Sequence, residues 1–447
     1  MTTEQTPGAP YLAQFAQVKA KLPGRRLSWL KDLRQGAIER FVSLGFPTLK
    51  IEEWKYTSLS PLTKTVFGPA SQEANGRAEE GLRRFLLGEQ PCHRLVFVNG
   101  RHRPDLSHVG SLPAGVTITS LAAMLEAEPE LLEPHFGGED QSDGQALVAL
   151  NTAFMADGAV VKLAQGAALE APVHLIFLAT TQGGPAAHHP RNLILAEPGS
   201  SAAIFESYGG VGTESYWTNV VTQVKAGRNA AIRHYKLQCE GAEAFHIAIT
   251  QADLESGSSY TSFVMSMGGR LSRNEIAARL NGTGVDCRLN GVYLARDRQH
   301  MDTSTRIEHA KPGGLSREVY KGVIDGEAHA VFHGKIVVCP DAQKTDAHQL
   351  NENLLLSERA RIDTKPELEI HADDVKCSHG ANAGELDSEA LFYLRTRGLE
   401  EERARSLLIE AFVAEMIDGV ETEAVRSNLR KFVSSWLPTV ANGKGAA

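Results

Sequence analysis

Apolar residues in the first ninety positions recur at three- and four-residue intervals, the spacing of one helical face. Leu30, Leu33, Ala37, Ile38 and Phe41 share such a face, and Gly45-Phe46-Pro47 supplies the stop. Leu12, Phe15, Ala16 and Leu22 sketch a shorter helix before it, and Leu82, Phe85 and Leu86 another after it. The polar, small-residue stretch Gly68–Gly76 reads as a linker. From about Leu95 the spacing changes. Leu95-Val96-Phe97-Val98, closed by Asn99-Gly100, predicts a short strand and a turn. A helix is expected around Ser120–Ala127, and strand-like runs then dominate from Val160 to Ile370. They include Val173–Leu178, Leu193–Leu195, Ala202–Phe205, Val220–Val224, Ile232–Leu237, Tyr260–Val264 and Ile336–Val338. No long helical pattern interrupts them, which excludes a doubly wound α/β sheet.

Punctuation within the strand region is periodic. Gly199, Gly227, Gly257, Gly284 and Gly314 are 28, 30, 27 and 30 residues apart. Four of them lead through small or polar residues into a strand, as in Gly199-Ser-Ser-Ala and Gly257-Ser-Ser-Tyr. A period of this size points to stacked repeats, each too small to bury its own apolar face. Two or more short strands per period favour a β-helix or solenoid over a propeller; a large β-sandwich with evenly spaced turns is the alternative.

The last sixty residues return to helical spacing. Asp387 or Ser388 can cap a helix carrying Leu391 and Leu394, with Gly398 as its end. A second helix groups Leu407, Leu408, Ala411, Phe412 and Met416, and a third groups Val425, Leu429, Phe432, Val433 and Trp436 before Pro438.

Composition narrows the function classes. Hydrophobic residues make up 42% of the 447 and charged residues 22%, which excludes wholesale disorder. The 46 Lys and Arg against 54 Asp and Glu leave a net charge of -8, opposite to the basic balance of a nucleic-acid binder. No apolar run is long enough to span a bilayer, and the first residues show no secretory signal. Five scattered cysteines, Cys92, Cys239, Cys287, Cys339 and Cys377, exclude a disulfide scaffold and a CxxC zinc module. A soluble cytoplasmic protein is expected. Phosphate-loop, nucleophile-elbow and zinc-helix motifs are missing from the sequence.

Two stretches carry candidate chemistry. In Lys376-Cys377-Ser378-His379-Gly380, an extended backbone points Cys377 and His379 to the same side. Their Cβ atoms would then stand roughly 6 to 7 Å apart, twice the rise per residue. Thiolate and imidazole both suit iron, but two donors cannot close a four-ligand site. The other outcome is a buried small thiol beside a turn histidine. In the second stretch, alternation puts Ala328, Ala330, Phe332, Ile336 and Val338 on a core-like face. Glu327, His329, His333, Lys335 and Cys339 fall on the other, as a metal or catalytic row or as a solvated face. His300, Asp302 and His309 form a looser cluster with the same two readings.

Several segments resemble the SufB/SufD family of iron–sulfur cluster assembly proteins. They are Phe332 to Ser357, Pro366 to Ala381, Phe392 to Gly398, Glu53-Trp-Lys-Tyr-Thr57 and Leu150 to Gly158, so the likeness covers nearly the whole chain. The Lys-Cys-Ser-His-Gly stretch and Phe392-Tyr-Leu-Arg look like the SufD branch. The resemblance implies a helical N-terminal region (1–90), a right-handed parallel β-helix core (91–385, with a short α/β lead-in to about 150) and a C-terminal helical domain (386–447). It implies a non-enzymatic scaffold that pairs with SufB through the β-helix end and with the SufC ATPase through the C-terminal helices. A transient iron–sulfur cluster would be shared with the partner chain and none held tightly alone, with His379 and Cys377 as the cofactor-binding and metal residues. An isolated chain could form a homodimer; no nucleic acid or membrane partner is implied. The competing functions are a β-helix enzyme acting on polysaccharides and a self-contained metal carrier.

Overall fold

The computed structural model describes residues 8–70, 77–136, 145–180 and 184–437. Residues 71–76 of the expected linker and Pro438 lie outside them. The core is a parallel β-solenoid of about seven turns. Each turn places one strand in each of two sheets. In one sheet, residues 221, 249, 275, 304, 333 and 365 stack in register. In the other, residues 233, 261, 288, 317, 348 and 378 do so. The repeat of about thirty residues read from the glycines is therefore one turn of chain.

The corners show what that periodicity records. Gly199, Gly257, Gly284 and Gly313 have φ near +70°, and Asn229 and Lys344 take the same left-handed conformation in their turns. Each of these six residues donates its backbone N–H to a carbonyl of the following turn: Arg228, Ser256, Thr283, Pro312, Gln343 and Asp374. Gly227 and Gly314 flank this position rather than occupy it, because Asn229 and Gly313 already supply the left-handed bend.

Along each strand one face looks into the lumen. Ile204, Ile232, Tyr260, Leu289, Tyr320, Phe332, Ile336 and Val338 belong to the buried cluster inside it. The outer faces are covered by helices. Helices Ala9–Val18, Ser28–Leu44 and Gln145–Phe154 pack on one sheet through Tyr11, Phe41 and Leu147 against Trp217, Phe245 and Ile249. Helices Glu401–Asp418 and Glu423–Trp436 cover the other through Ile409, Val413, Leu429 and Phe432 against Tyr235, Phe263 and Leu294.

The third C-terminal helix buries the five residues its pattern grouped. The second departs from its pattern. Its buried stripe is Ala404, Ser406, Ile409, Val413 and Ile417, whereas Leu407, Leu408, Phe412 and Met416 are half-buried and Ala411 is exposed. This helix is apolar on two sides, so spacing alone could not say which side meets the sheet.

The two ends of the solenoid differ. At the N-terminal end, Val116–Ser120 runs antiparallel to Ala159–Leu163, and Arg101–His102 folds back on the preceding strand. At the C-terminal end, Arg361–Ile370 and Lys376–Gly384 are the last strands of their sheets, each hydrogen-bonded to one neighbour. Ile370, stacked over the lumen residue Val338, is 41% exposed.

Candidate functional site at the open end

The last strand, Lys376–Gly384, lies in parallel register on Asp346–Leu355, with Cys377 over Ala347 and His379 over Gln349. Ala347 and Gln349 are buried in the lumen, so Cys377 and His379 stand on the same face at its mouth. The structure thus brings the two sequence-picked residues together as the alternation required. Cys377 is half-buried and packs against the lumen cluster, and His379 is exposed. Burial pushes the Cys377 thiol up, while the Ala347 backbone works in the opposite direction. Among the described residues, no group of three or more His, Cys, Asp or Glu is placed to hold a metal ion. The mouth offers a thiol and an imidazole, donor types that suit iron.

Beneath this pair the lumen turns polar. Gln349 Nε2 donates to Glu318 Oε2 at 2.6 Å, and both side chains are buried. Burial pushes the Glu318 carboxyl up to about 7, against the pull of Thr305 and Gln349. Beside them, Asn351 Nδ2 donates to Tyr293 Oη at 2.9 Å and Asn353 Nδ2 to Asn351 Oδ1 at 2.8 Å. Room for these groups comes from lumen glycines. A Cβ on Gly334 would run into the Gln349 amide, and one on Gly322 into the Tyr293 ring and Asn353. Deeper still, the Glu206 carboxylate accepts from Tyr208 (2.6 Å) and Thr222 (2.8 Å) and lies 3.9 Å from Lys236 Nζ. Burial would raise its pKa, but Lys236 and His234 hold it well below the usual carboxylate range. The sequence reading missed this interior. Its signal was present in Asp346–Leu355, where alternation puts Gln349, Asn351 and Asn353 on the face of Ala347.

The second constellation lies on the outer face of the other sheet. His329 Nε2 is 2.6 Å from Asp363, His333 Nε2 is 2.6 Å from Glu367, and Lys335 pairs with Glu369 at 2.8 Å. Ala330, Phe332, Ile336 and Val338 face the lumen as expected. Glu327 and Cys339 fall outside the strand, His329–Val338, so alternation does not reach them. Glu327 pairs with Arg298 and Arg359, and Cys339 packs against the lumen cluster.

The looser histidine cluster divides between the two faces. His309 faces inward, 2.9 Å from Ser316 Oγ. His300 and Asp302 face outward and both bond Thr57 Oγ1, and Asp302 also pairs with Arg273, whose guanidinium lies 4.0 Å above the Trp54 ring. Burial pushes His300 down to about 4, and Asp302 only partly offsets it. These groups fasten the N-terminal segment to the solenoid.

The chain is similar to known proteins along nearly its whole length. The family description "SUF system FeS cluster assembly, SufBD core domain" matches residues 177–412, and "SufBD protein N-terminal region" matches 5–175. An iron–sulfur cluster assembly SufBD family protein of Synechocystis is 36% identical over 430 residues, 94% of each chain. The iron–sulfur cluster assembly protein SufD of Escherichia coli is 30% identical over 90% of this chain and 92% of its own. SufD of Bacillus subtilis is 27% identical over 94% and 95%.

Proposed function

The chain belongs to the SufB/SufD family, as a SufD-like component of the SUF system for iron–sulfur cluster assembly, and from that premise we propose a specific role for its open end. The chain is a non-enzymatic scaffold subunit. Its solenoid mouth pairs with SufB, and Cys377 and His379 contribute half of a nascent-cluster site at that interface. The observation that carries the reading is the coincidence of two features: a thiol and an imidazole on the lumen face of the last strand, and terminal strands with one free edge each. Free strand edges are covered or paired in stable assemblies. Pairing across the mouth would cover Ile370 and bring a second chain's donors to the first two.

The C-terminal helices are the docking surface for the SufC ATPase, which supplies ATP hydrolysis. Phe392 and Tyr393 support this, being 68% and 57% exposed on helix Ser388–Thr396. Large aromatics left in water at neighbouring positions mark an interaction surface. A self-contained metal carrier is disfavoured by the half-site, which one chain leaves open.

The test is co-expression with SufB and SufC, comparing the wild type with His379→Ala. Gel filtration reports the complex, and bound iron and sulfide report the cluster. The expected result is an intact complex that has lost its cluster. Full cluster content in His379→Ala would remove the histidine from the site, and failure of the wild type to bind SufB would end the scaffold reading.

A further inference from the structure

We propose that Gln349 is a positioning residue for His379, its Oε1 accepting the ring N–H while the other ring nitrogen faces iron. The inference rests on the role proposed above for His379. Gln349 and His379 are direct neighbours in register on adjacent parallel strands, about 4.8 Å apart, and both stand on the lumen face. The Gln349 side chain is 3% exposed. Its Nε2 is committed to Glu318, while its Oε1 is buried with no hydrogen-bond partner. A buried acceptor left open is uncommon and costly, so its retention at the mouth points to a donor arriving there.

The orientation of the amide is also determined. Glu318 Oε2 accepts from the amide NH2 at 2.6 Å, which turns the amide oxygen away, and a carboxyl keeps an accepting oxygen whether or not it carries a proton. Gly334 leaves the space in which the amide sits. A histidine that binds metal through one nitrogen donates its other N–H to a fixed acceptor, which sets the tautomer and ring direction. An amide oxygen does this without adding charge to a site already receiving thiolate. That suits a scaffold that must give its cluster up. Tyr320 Oη, one turn deeper, also lacks a protein partner, so a lumen water is the competing occupant near Gln349.

The experiment uses the complex co-expressed with SufB and SufC, with Gln349→Met, Gln349→Glu and His379→Ala in parallel. Fe(II) alone, titrated anaerobically by equilibrium dialysis, gives the affinity. Pulsed electron paramagnetic resonance of the reduced cluster gives the coupling of the remote imidazole nitrogen, which a purely structural change would not move. Gln349→Met keeps the volume, and the expected result is an intact complex, a drop in iron affinity of about 10- to 100-fold and an altered remote-nitrogen coupling. Gln349→Glu keeps an acceptor and restores the affinity. Wild-type affinity and coupling in Gln349→Met, with iron lost in His379→Ala, overturn this inference alone and assign the space to water. Iron retained in His379→Ala overturns the underlying reading instead. Where Gln349→Met fails to assemble, Glu318→Leu is read in its place. It releases the amide without altering it, and unchanged affinity there overturns the inference.

Discussion

Glu318→Gln should change how stability depends on pH, and by an amount the structure sets. Burial in the lumen raises the native carboxyl from an ordinary 4.5 to about 7. Below 4.5 both native and unfolded chains hold the proton. Between 4.5 and 7 the unfolded chain releases it and the native chain does not, so native stability falls as pH rises. At about 1.36 kcal/mol per pH unit, the interval amounts to about 3 kcal/mol, and the loss levels off above pH 7. The substituted glutamine has nearly the same shape as the glutamate and no proton to lose. The assay is urea denaturation of wild type and variant at half-unit steps from pH 4.5 to 8. Taking the difference between the two proteins cancels every other titrating group, including Glu206, whose depressed pKa gives a contribution of opposite slope. The variant should gain about 3 kcal/mol on the wild type across the window. Parallel profiles would refute the argument, because they would mean that the Glu318 site is as well solvated as the unfolded chain.

Three further outcomes follow from the packing. Lys236→Met leaves the buried Glu206 carboxylate short of its counter-charge and should cost about 3–5 kcal/mol by denaturant titration. Adding Glu206→Gln should recover part of that loss, giving a clear coupling term in a double-mutant cycle. Gly334→Ala drives a methyl into the Gln349 amide and should cost about 1–3 kcal/mol, read as a lower midpoint at unchanged slope. Phe392→Ser with Tyr393→Ser should leave unfolding within about 0.5 kcal/mol of wild type while abolishing co-purification with SufC.

The solenoid was legible because its two signals are local. Turn residues every thirty positions or so record the left-handed corners, and alternation such as that of Ala330, Phe332, Ile336 and Val338 records the lumen face. Cys377 and His379 were legible for the same reason, since a two-residue spacing on a strand is independent of the rest of the fold. What alternation could not give was direction. It separated the faces of His329–Val338, but only the packing of Trp54 and Thr57 shows what the neighbouring outer face meets. Helix Gln145–Phe154 carries eight buried residues in ten and so has no polar stripe to announce it. An arginine such as Arg34 is by residue type an ordinary surface position on a helix. Instead it is buried, donating to the carbonyls of Pro23 and Met155, a role defined by chain segments outside its own helix.

The polar lumen bears on why such a protein would be built as a solenoid at all. A purely aliphatic interior would be the simpler way to stack turns, since each buried polar group must find a partner. Here Glu318, Gln349, Asn351 and Asn353 lie within the last two complete turns, below the open mouth. Their hydrogen bonds fix side-chain directions that apolar packing would leave to shape alone. Toward the opposite end the lumen is polar too, around Glu206, Tyr208, Thr222 and His234, but there the chain closes the solenoid by folding back antiparallel. On the role proposed for Cys377 and His379, a cluster site shared between chains has to be half-built before the partner arrives, and a mouth supported by oriented polar groups meets that requirement better than a loop. On this argument, replacing Asn351 and Asn353 by Leu should leave the solenoid folded yet broaden the magnetic resonance signals of the last strand, Lys376–Gly384. Sharp, wild-type signals in that variant would show that the apolar lumen alone orders the mouth.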